Sequence, residues 1–307
     1  MRVVLTGGTG VIGRAAVTTL IDADHEVAVV ARSEASAGRV EDLGAACVRG
    51  DVLDVASLER AFEGADSVVN LATSIPVGHS ALVSRAWRRD DRLRTSGVAH
   101  VVEAARRCGV RRVVQASASF LYASQGDEWI TEKSPVAITE MNEPTAVAES
   151  LVQEYTCDSR MGVVLRFGQV VGDDPQTRHL VRATAAGRRI GIGQPFDWTH
   201  VVHVDDLGPA VLAALHAPSG VYNVGAEPVL RLDLVQGYAE AAQTEAAPFL
   251  GVIGRRLLGG RLEPLARSLR VSSDHYAAQT GWSPTRPKFD ATWLDAAVAR
   301  CLSDATA

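Results

Sequence analysis

Thr6-Gly7-Gly8-Thr9-Gly10-Val11-Ile12-Gly13 is the stretch on which the fold is decided. It follows the apolar run Val3–Leu5 and opens an amphipathic segment, Gly13–Ala23. A strand, a glycine loop and a helix in direct succession form the phosphate-cradling turn of a dinucleotide-binding βαβ unit. One glycine permits the tight turn, one lets the backbone approach a pyrophosphate, and one lets helix and strand pack closely. The helix start then offers unbonded N–H groups and a positive dipole end to phosphate. Gly7, Thr9, Gly10, Val11 and Ile12 are therefore the expected contacts of a dinucleotide in this loop.

Outward from the loop, short β-branched runs alternate with helix-like stretches. Val27–Ala31, Ala46–Arg49, Ser67–Leu71, Arg112–Ala116 and Val163–Phe167 read as buried strands, with Val55–Glu63 and Val98–Cys108 as amphipathic helices between them. That alternation predicts an α/β fold, a Rossmann-type doubly wound parallel sheet. The last third is less regular and predicts a smaller, mostly helical C-terminal lobe over the carboxyl ends of the strands, where open α/β sheets bind ligands. The expected division is a dinucleotide-binding domain over 1–172, with 199–227 returning to it. A substrate-binding lobe takes 173–198 and 228–285, and a C-terminal helix 286–307.

With 47% hydrophobic residues the chain can bury a sizeable core, and its net charge of −5 leaves no basic footprint for nucleic acid. Cys47, Cys108, Cys157 and Cys301 form no CxxC and read as reduced residues, with neither a disulfide frame nor a metal site. No apolar run reaches 18 residues, so the expectation is a cytoplasmic protein with no membrane partner.

The second strand ends in Ala31-Arg32-Ser33. A carboxylate here would select a ribose 2′-hydroxyl, whereas an arginine pairs with a 2′-phosphate. Arg32 and Ser33, with Arg39 beyond them, predict NADPH/NADP+ as the cofactor.

Thr6–Gly13, Gly50-Asp51-Val52-Leu53-Asp54, Val69-Asn70-Leu71-Ala72, Thr199–Leu207 and Gly220–Gly225 together resemble the motifs of extended short-chain dehydrogenases/reductases, in that family's order and over nearly the whole chain. The resemblance implies that Asp51 and Val52 flank the adenine, and that Leu71, Ala72, Thr73 and Ala116 line the path to the nicotinamide. It implies a structural role for His203, Asp205 and Asp206. Proteins that this chain resembles often form a homodimer through helices at the places of Ala81–Arg107 and Thr145–Arg160, while the Arg85–Arg94 charge run, with Asp90 and Asp91, reads equally as a solvated face.

Members of that family reduce carbonyls with a Ser/Thr and a YxxxK pair, the tyrosine passing a proton to the oxygen as hydride arrives. In this chain Tyr122, Tyr155, Tyr222, Tyr238 and Tyr276 are followed at the fourth position by Gly126, Ser159, Ala226, Ala242 and Thr280, and the only lysines are Lys133 and Lys288. Local matching places Ala118, Met141 and Thr145 at the three catalytic positions. Thr73, Ser74, Ser117 and Ser119 remain as hydroxyls able to orient a substrate. Imidazole is the side chain able to change charge near neutrality, which makes His79 and His203 candidates, but neither has a visible carboxylate partner in the sequence. Tyr122 reads as a packed structural tyrosine.

Two functions follow. One is an atypical ketoreductase, with the proton drawn from substrate or water. The other is a non-catalytic NADP-binding redox sensor or scaffold, which need not keep an apolar cleft. Trp129, Met141, Phe196 and Trp198, with Ile130, Phe249 and Leu250, fall in segments expected to wall a cleft for a flat apolar small-molecule substrate. This pattern is similar to the ketoreductases of aromatic-polyketide antibiotic pathways, those acting on angucyclinones among them.

Overall fold

The computed structural model describes residues 1–245, 249–250 and 263–306. Among these, the central sheet joins β1 (Arg2–Thr6), β2 (Glu26–Ala31), β3 (Ala46–Arg49), β4 (Ser67–Asn70), β5 (Arg112–Ala118), β6 (Met161–Phe167) and β10 (Gly220–Val224). The short strands β7 (Gln169–Val171), β8 (Trp198–Thr199), β9 (Val201–His203) and β11 (Val229–Leu230) lie outside it. The sheet is ordered β10-β6-β5-β4-β1-β2-β3, and its neighbours run parallel. Chain order reverses between β1 and β4, and that reversal opens a crevice at their carboxyl ends.

The helices of this part are α1 (Val11–Asp22), α2 (Glu34–Glu41), α3 (Val55–Phe62), α4 (Ser84–Arg92), α5 (Val98–Arg107), α6 (Glu143–Gln153) and α8 (Val204–Ala214). Side chains alternate across the pleat, so each strand feeds two cores. Val3 and Leu5 pack with Val17, Leu20, Val69, Leu207 and Val211 under α1 and α8. Val4 packs with Leu58, Phe62, Val68, Val101 and Val164 under α3 and α5. Strands buried on both faces read as continuous apolar runs, which is why the sequence pattern is so plain here. A π turn, Leu93–Gly97, joins α4 to α5 without a break.

The lobe gathers α7 (Pro175–Ala185), α9 (Arg231–Ala241), the helices Glu263–Ala266 and Asp274–Thr280, and a C-terminal helix Asp295–Thr306. β7 pairs with β9, and β8 with β11. Val171, Val181, Val201, Leu234, Tyr238, Trp293 and Leu294 form its core. Residues 246–248 and 251–262 of the expected lobe, and Ala307 of the expected terminal helix, lie outside the described residues.

Two buried arginines tie this lobe together. Arg267 donates to the carbonyls of Phe120 (3.1 Å) and Tyr122 (2.9 Å), and pairs with Glu263 at 2.6 Å. Arg231 donates to the carbonyls of Gln194, Ala266 and Arg267, and to Asp197 at 3.0 Å. A guanidinium's several donors satisfy loop carbonyls that burial takes from water. The segment after β5 is thereby fixed against the lobe.

Candidate active site

After Thr6 the chain turns through Gly7, at φ +72°; a Cβ there would lie 2.5 Å from the carbonyl carbon of Leu71. The loop therefore runs in contact with the backbone that leaves β4. Gly13 is as tightly pressed, since its Cβ would stand 2.2 Å from the Gly7 oxygen. Gly10 differs. It is exposed, and a Cβ there would meet only the Gly7 oxygen, at 3.3 Å. It is also the N-cap of α1, with no side-chain cap bond. The first-turn N–H groups, those of Val11 and Ile12 among them, are left for a ligand. A pyrophosphate fits this cradle, which combines open space, backbone donors and the positive end of a 12-residue helix.

Beneath the cradle, Thr6, Asn70 and Gln115 stand in register on β1, β4 and β5. The Thr6 hydroxyl donates to Asn70 Oδ1, Asn70 Nδ2 to Gln115 Oε1 (2.7 Å), and Gln115 Nε2 to the Ala116 carbonyl (2.8 Å). All three residues are buried. This row fixes the points at which Leu71, Ala72 and Thr73 leave β4, and it holds Ala116 at the end of β5. Sequence reasoning passed over Thr6 and Gln115 as site residues; a polar residue near the end of each apolar strand was the available signal.

At the end of β2, Arg32 is exposed and forms no ion pair with another described residue. Ser33 caps α2: its Oγ accepts from the Ser36 N–H (3.3 Å), while Ser36 Oγ accepts from the Ser33 N–H (3.0 Å). Glu34, which would repel an anion, is held by Arg49 at 2.7 Å. Arg39 lies exposed in the last turn of α2. A free guanidinium, two hydroxyls and a helix start make a setting that suits phosphate. Further along the crevice, Asp51 Oδ1 accepts from the Leu53 N–H (3.0 Å), and Val52 lies beside Gly97.

None of the three residues that local matching sets at the family's catalytic positions is an acid. Ala118 ends β5. Helix α6 starts only at Glu143, with Pro144 in its first turn, so Met141 sits in the preceding turn. That turn is held by Asn142, whose Oδ1 accepts from the Thr139 N–H (2.7 Å) and whose Nδ2 donates to the Ala137 carbonyl (3.1 Å). Thr145 is buried within α6. Ser119 is buried too, and Thr73 is exposed.

Ser117 must be withdrawn from the substrate-orienting set. Its hydroxyl donates to Glu149 Oε1 inside a buried network. Glu149 takes a two-pronged pair from Arg166, at 2.9 and 2.6 Å. Arg166 lies 4.6 Å over the Tyr122 ring, and the Tyr122 hydroxyl donates to Asn223 Oδ1 at 2.8 Å. Ser117, Arg166 and Asn223 share one row across β5, β6 and β10. Burial works against the Arg166 charge, but Glu149 outweighs it and holds the guanidinium above its usual range. Burial pushes the Tyr122 phenol up as well, so it is a structural donor and no acid near neutrality.

His203 caps α8, its Nδ1 accepting from the Asp205 N–H (3.2 Å), with its ring edge-on to Trp293. Asp206 accepts from the amide and hydroxyl of Thr285. His79 lies in an exposed 3₁₀ turn, Gly78–Leu82, edge-on to His179. His200 is wholly buried with neither ring nitrogen hydrogen-bonded among the described residues.

The structure brings Trp129 and Trp198 together, but around a cation. Arg270 lies 4.4 Å from one ring and 4.8 Å from the other, and Trp198 Nε1 donates to Asp127 (2.9 Å). Each ring thus spends one face on the guanidinium. Phe196 is 73% exposed, the most exposed large apolar side chain described. The Arg85–Arg94 run is not a uniformly solvated face, because Asp90 and Arg94 are buried.

Comparison with known proteins agrees with this geometry. Residues 3–225 match the NAD dependent epimerase/dehydratase family, and the chain belongs to it. It is 30% identical to a 3-diazoavenalumate denitrifying reductase from a Streptomyces species, over 96% of this chain and 98% of the relative. In fold it is similar to the UDP-glucose 4-epimerase of Thermotoga maritima, solved with UDP-glucose (TM-score 0.79, 21% identity, 100% of both chains). It is also similar to that of Thermus thermophilus, solved with NAD (TM-score 0.75, 23% identity, 98% and 99% of the chains). No helix among the described residues is long and apolar enough to cross a membrane.

Proposed function

We propose that this chain is an NADPH-dependent reductase of a flat, apolar, aromatic substrate, and that the protein orients the reactants without supplying the proton. The observation that carries the reading is a pairing: the dinucleotide cradle is complete, while Ala118, Met141 and Thr145 leave no acid at the catalytic positions. NADPH supplies the hydride. The Gly10 cradle and the Arg32–Ser33 corner anchor its phosphates, and the Thr6–Asn70–Gln115 row sets the strand ends on which its nicotinamide half rests. Orientation of this kind accounts for much of a barrier on its own.

The acceptor must then tolerate a site without an acid. A ketone on an aromatic polyketide, hydrogen-bonded to a neighbouring phenol or enol, brings its own charge relief and takes its proton from that group or from water. A second acceptor is favoured by the nearly full-length similarity to the denitrifying reductase. On an aryl diazonium, the C–N bond breaks, dinitrogen leaves, the hydride forms the new C–H bond and the nicotinamide is oxidised. No proton enters that balance.

The test is NADPH oxidation with three substrates: an aryl ketone bearing an adjacent hydroxyl, its methyl ether, and an aryl diazonium acid. Turnover of the hydroxy-ketone with loss of at least about tenfold on methylation supports the ketone. Turnover of the diazonium with release of dinitrogen supports the second acceptor. Full activity on the methyl ether reveals an acid in the protein. Tight NADPH binding with no oxidation by any of the three leaves the chain a cofactor-binding sensor or scaffold.

A further inference from the structure

Asp90 and Arg94 form an ion pair at 2.7 Å in the middle of the α4–α5 rod, and both side chains are more than nine-tenths buried. The Asp90 carboxylate is fully used. One oxygen accepts from Arg94 Nε and the other from the Ser74 N–H at 2.6 Å. Ser74 belongs to the segment that leaves β4 at the crevice, so the carboxylate pins the guanidinium directly behind that segment. Arg94 itself lies in the π turn Leu93–Gly97, which packs against α6, the helix that follows Met141.

The guanidinium is only partly satisfied. Its Nε is bonded, but neither Nη donates to another described group. The Nη nitrogens are not among the fully enclosed atoms left without a partner, so this edge keeps access to a ligand, and a two-nitrogen edge matches the two oxygens of a carboxylate. One-residue π insertions concentrate at functional sites because they re-aim a side chain without ending the helix.

We propose that Arg94, held by Asp90, is a specificity-determining cation of the substrate cleft, and that its free edge binds an anionic oxygen pair on the substrate, an aromatic carboxylate. The proposal rests on the reductase reading for the identity of the cleft, but it concerns binding and is tested without turnover. Arg94 fixes one end of the substrate at a distance from the reacting carbon, so the apolar ring reaches the nicotinamide in one orientation.

The probes are trans-cinnamate and its neutral isostere cinnamamide, titrated by calorimetry into the protein saturated with NADP+. The wild type is expected to bind cinnamate at least about tenfold more tightly than cinnamamide. Arg94→Gln should abolish that preference, and Arg94→Lys should keep part of it. Because Arg94→Gln strands a buried carboxylate, the double variant Asp90→Asn/Arg94→Gln serves as a folded, uncharged control, and it too should show no preference. NADP+ affinity should be unchanged in all three. Equal binding of the two probes by the wild type overturns the proposal. So does a fall in NADP+ affinity with cinnamate preference intact, which would assign the guanidinium edge to the cofactor ribose. A protein that binds cinnamate as expected yet oxidises no NADPH with any acceptor keeps this site and loses the reductase reading.

Discussion

Ser117 donates its hydroxyl to Glu149 across the interface of β5 and α6, so the most suggestively placed serine of the β5 end is a structural group. Replacing Ser117 with alanine should cost about 1 kcal/mol, the worth of one buried hydrogen bond, and should change turnover less than about threefold. Glu149→Ala should cost far more, about 3–5 kcal/mol, because it leaves Arg166 charged, buried and unpaired. Urea unfolding of the two variants measures both. A Ser117→Ala protein of normal stability with activity abolished would return that hydroxyl to the cleft.

The glycine loop separates packing from binding. Gly10→Val places its side chain in the open cradle, so it should abolish NADPH binding while thermal unfolding stays within a few degrees of wild type. Gly7→Val drives a Cβ into the backbone of Leu71 at a positive φ and should destabilise the fold itself. Calorimetric titration and a melting curve on each variant distinguish the two effects. A Gly10→Val chain that still binds NADPH would mean the pyrophosphate lies elsewhere.

Arg32→Asp replaces a cation at the end of β2, unpaired among the described residues, with a like charge for phosphate. NADPH affinity should fall more than about tenfold, and the gap to NADH should narrow. Unchanged NADPH affinity would remove Arg32 from the phosphate site.

Acid stability should carry a histidine signature. Burial pushes His200 down to about 3, against 6.5 for an exposed imidazole. The unfolded chain therefore takes up a proton below pH 6.5 that the folded protein refuses. This contribution is fully present above that pH and is lost as pH falls from 6.5 toward 3, by up to about 1.4 kcal/mol per pH unit. Between pH 7 and pH 5 the loss amounts to about 2 kcal/mol. His200→Leu should remove it, and urea midpoints at the two pH values give the difference. An identical pH slope in the variant would show that His200 is protonated in the fold.

The doubly wound sheet was readable because β1, β2, β4, β5 and β6 are covered on both faces, so apolar residues dominate them, with buried polar residues such as Thr6, Asn70, Gln115 and Arg166 as exceptions toward their carboxyl ends. The cradle was readable because glycine identity is itself the backbone constraint. The cleft was not. Ser117 and Ser119 look alike in sequence, yet which hydroxyl turns to Glu149 depends on a helix that starts 24 residues downstream of Ser119. Trp129 and Trp198 read as cleft walls because Arg270, which lies between them, is brought there by a chain segment some 70 residues further on. Arg94 was lost in a charge run because helical periodicity assumes α geometry throughout, and the π turn breaks that count.

That extra residue acts as a clock for everything before it. An α-helix advances by about 100° per residue, and the Leu93–Gly97 turn absorbs one residue without interrupting the rod. Deleting a single residue there would restore uniform winding and rotate α4 by about the same angle against α5. Asp90 would swing from its place behind Ser74 toward solvent, and Trp87, whose indole N–H donates to the Ala81 carbonyl, would turn with it. The rod would survive in length and helicity, with its buried charges out of phase with the crevice they serve.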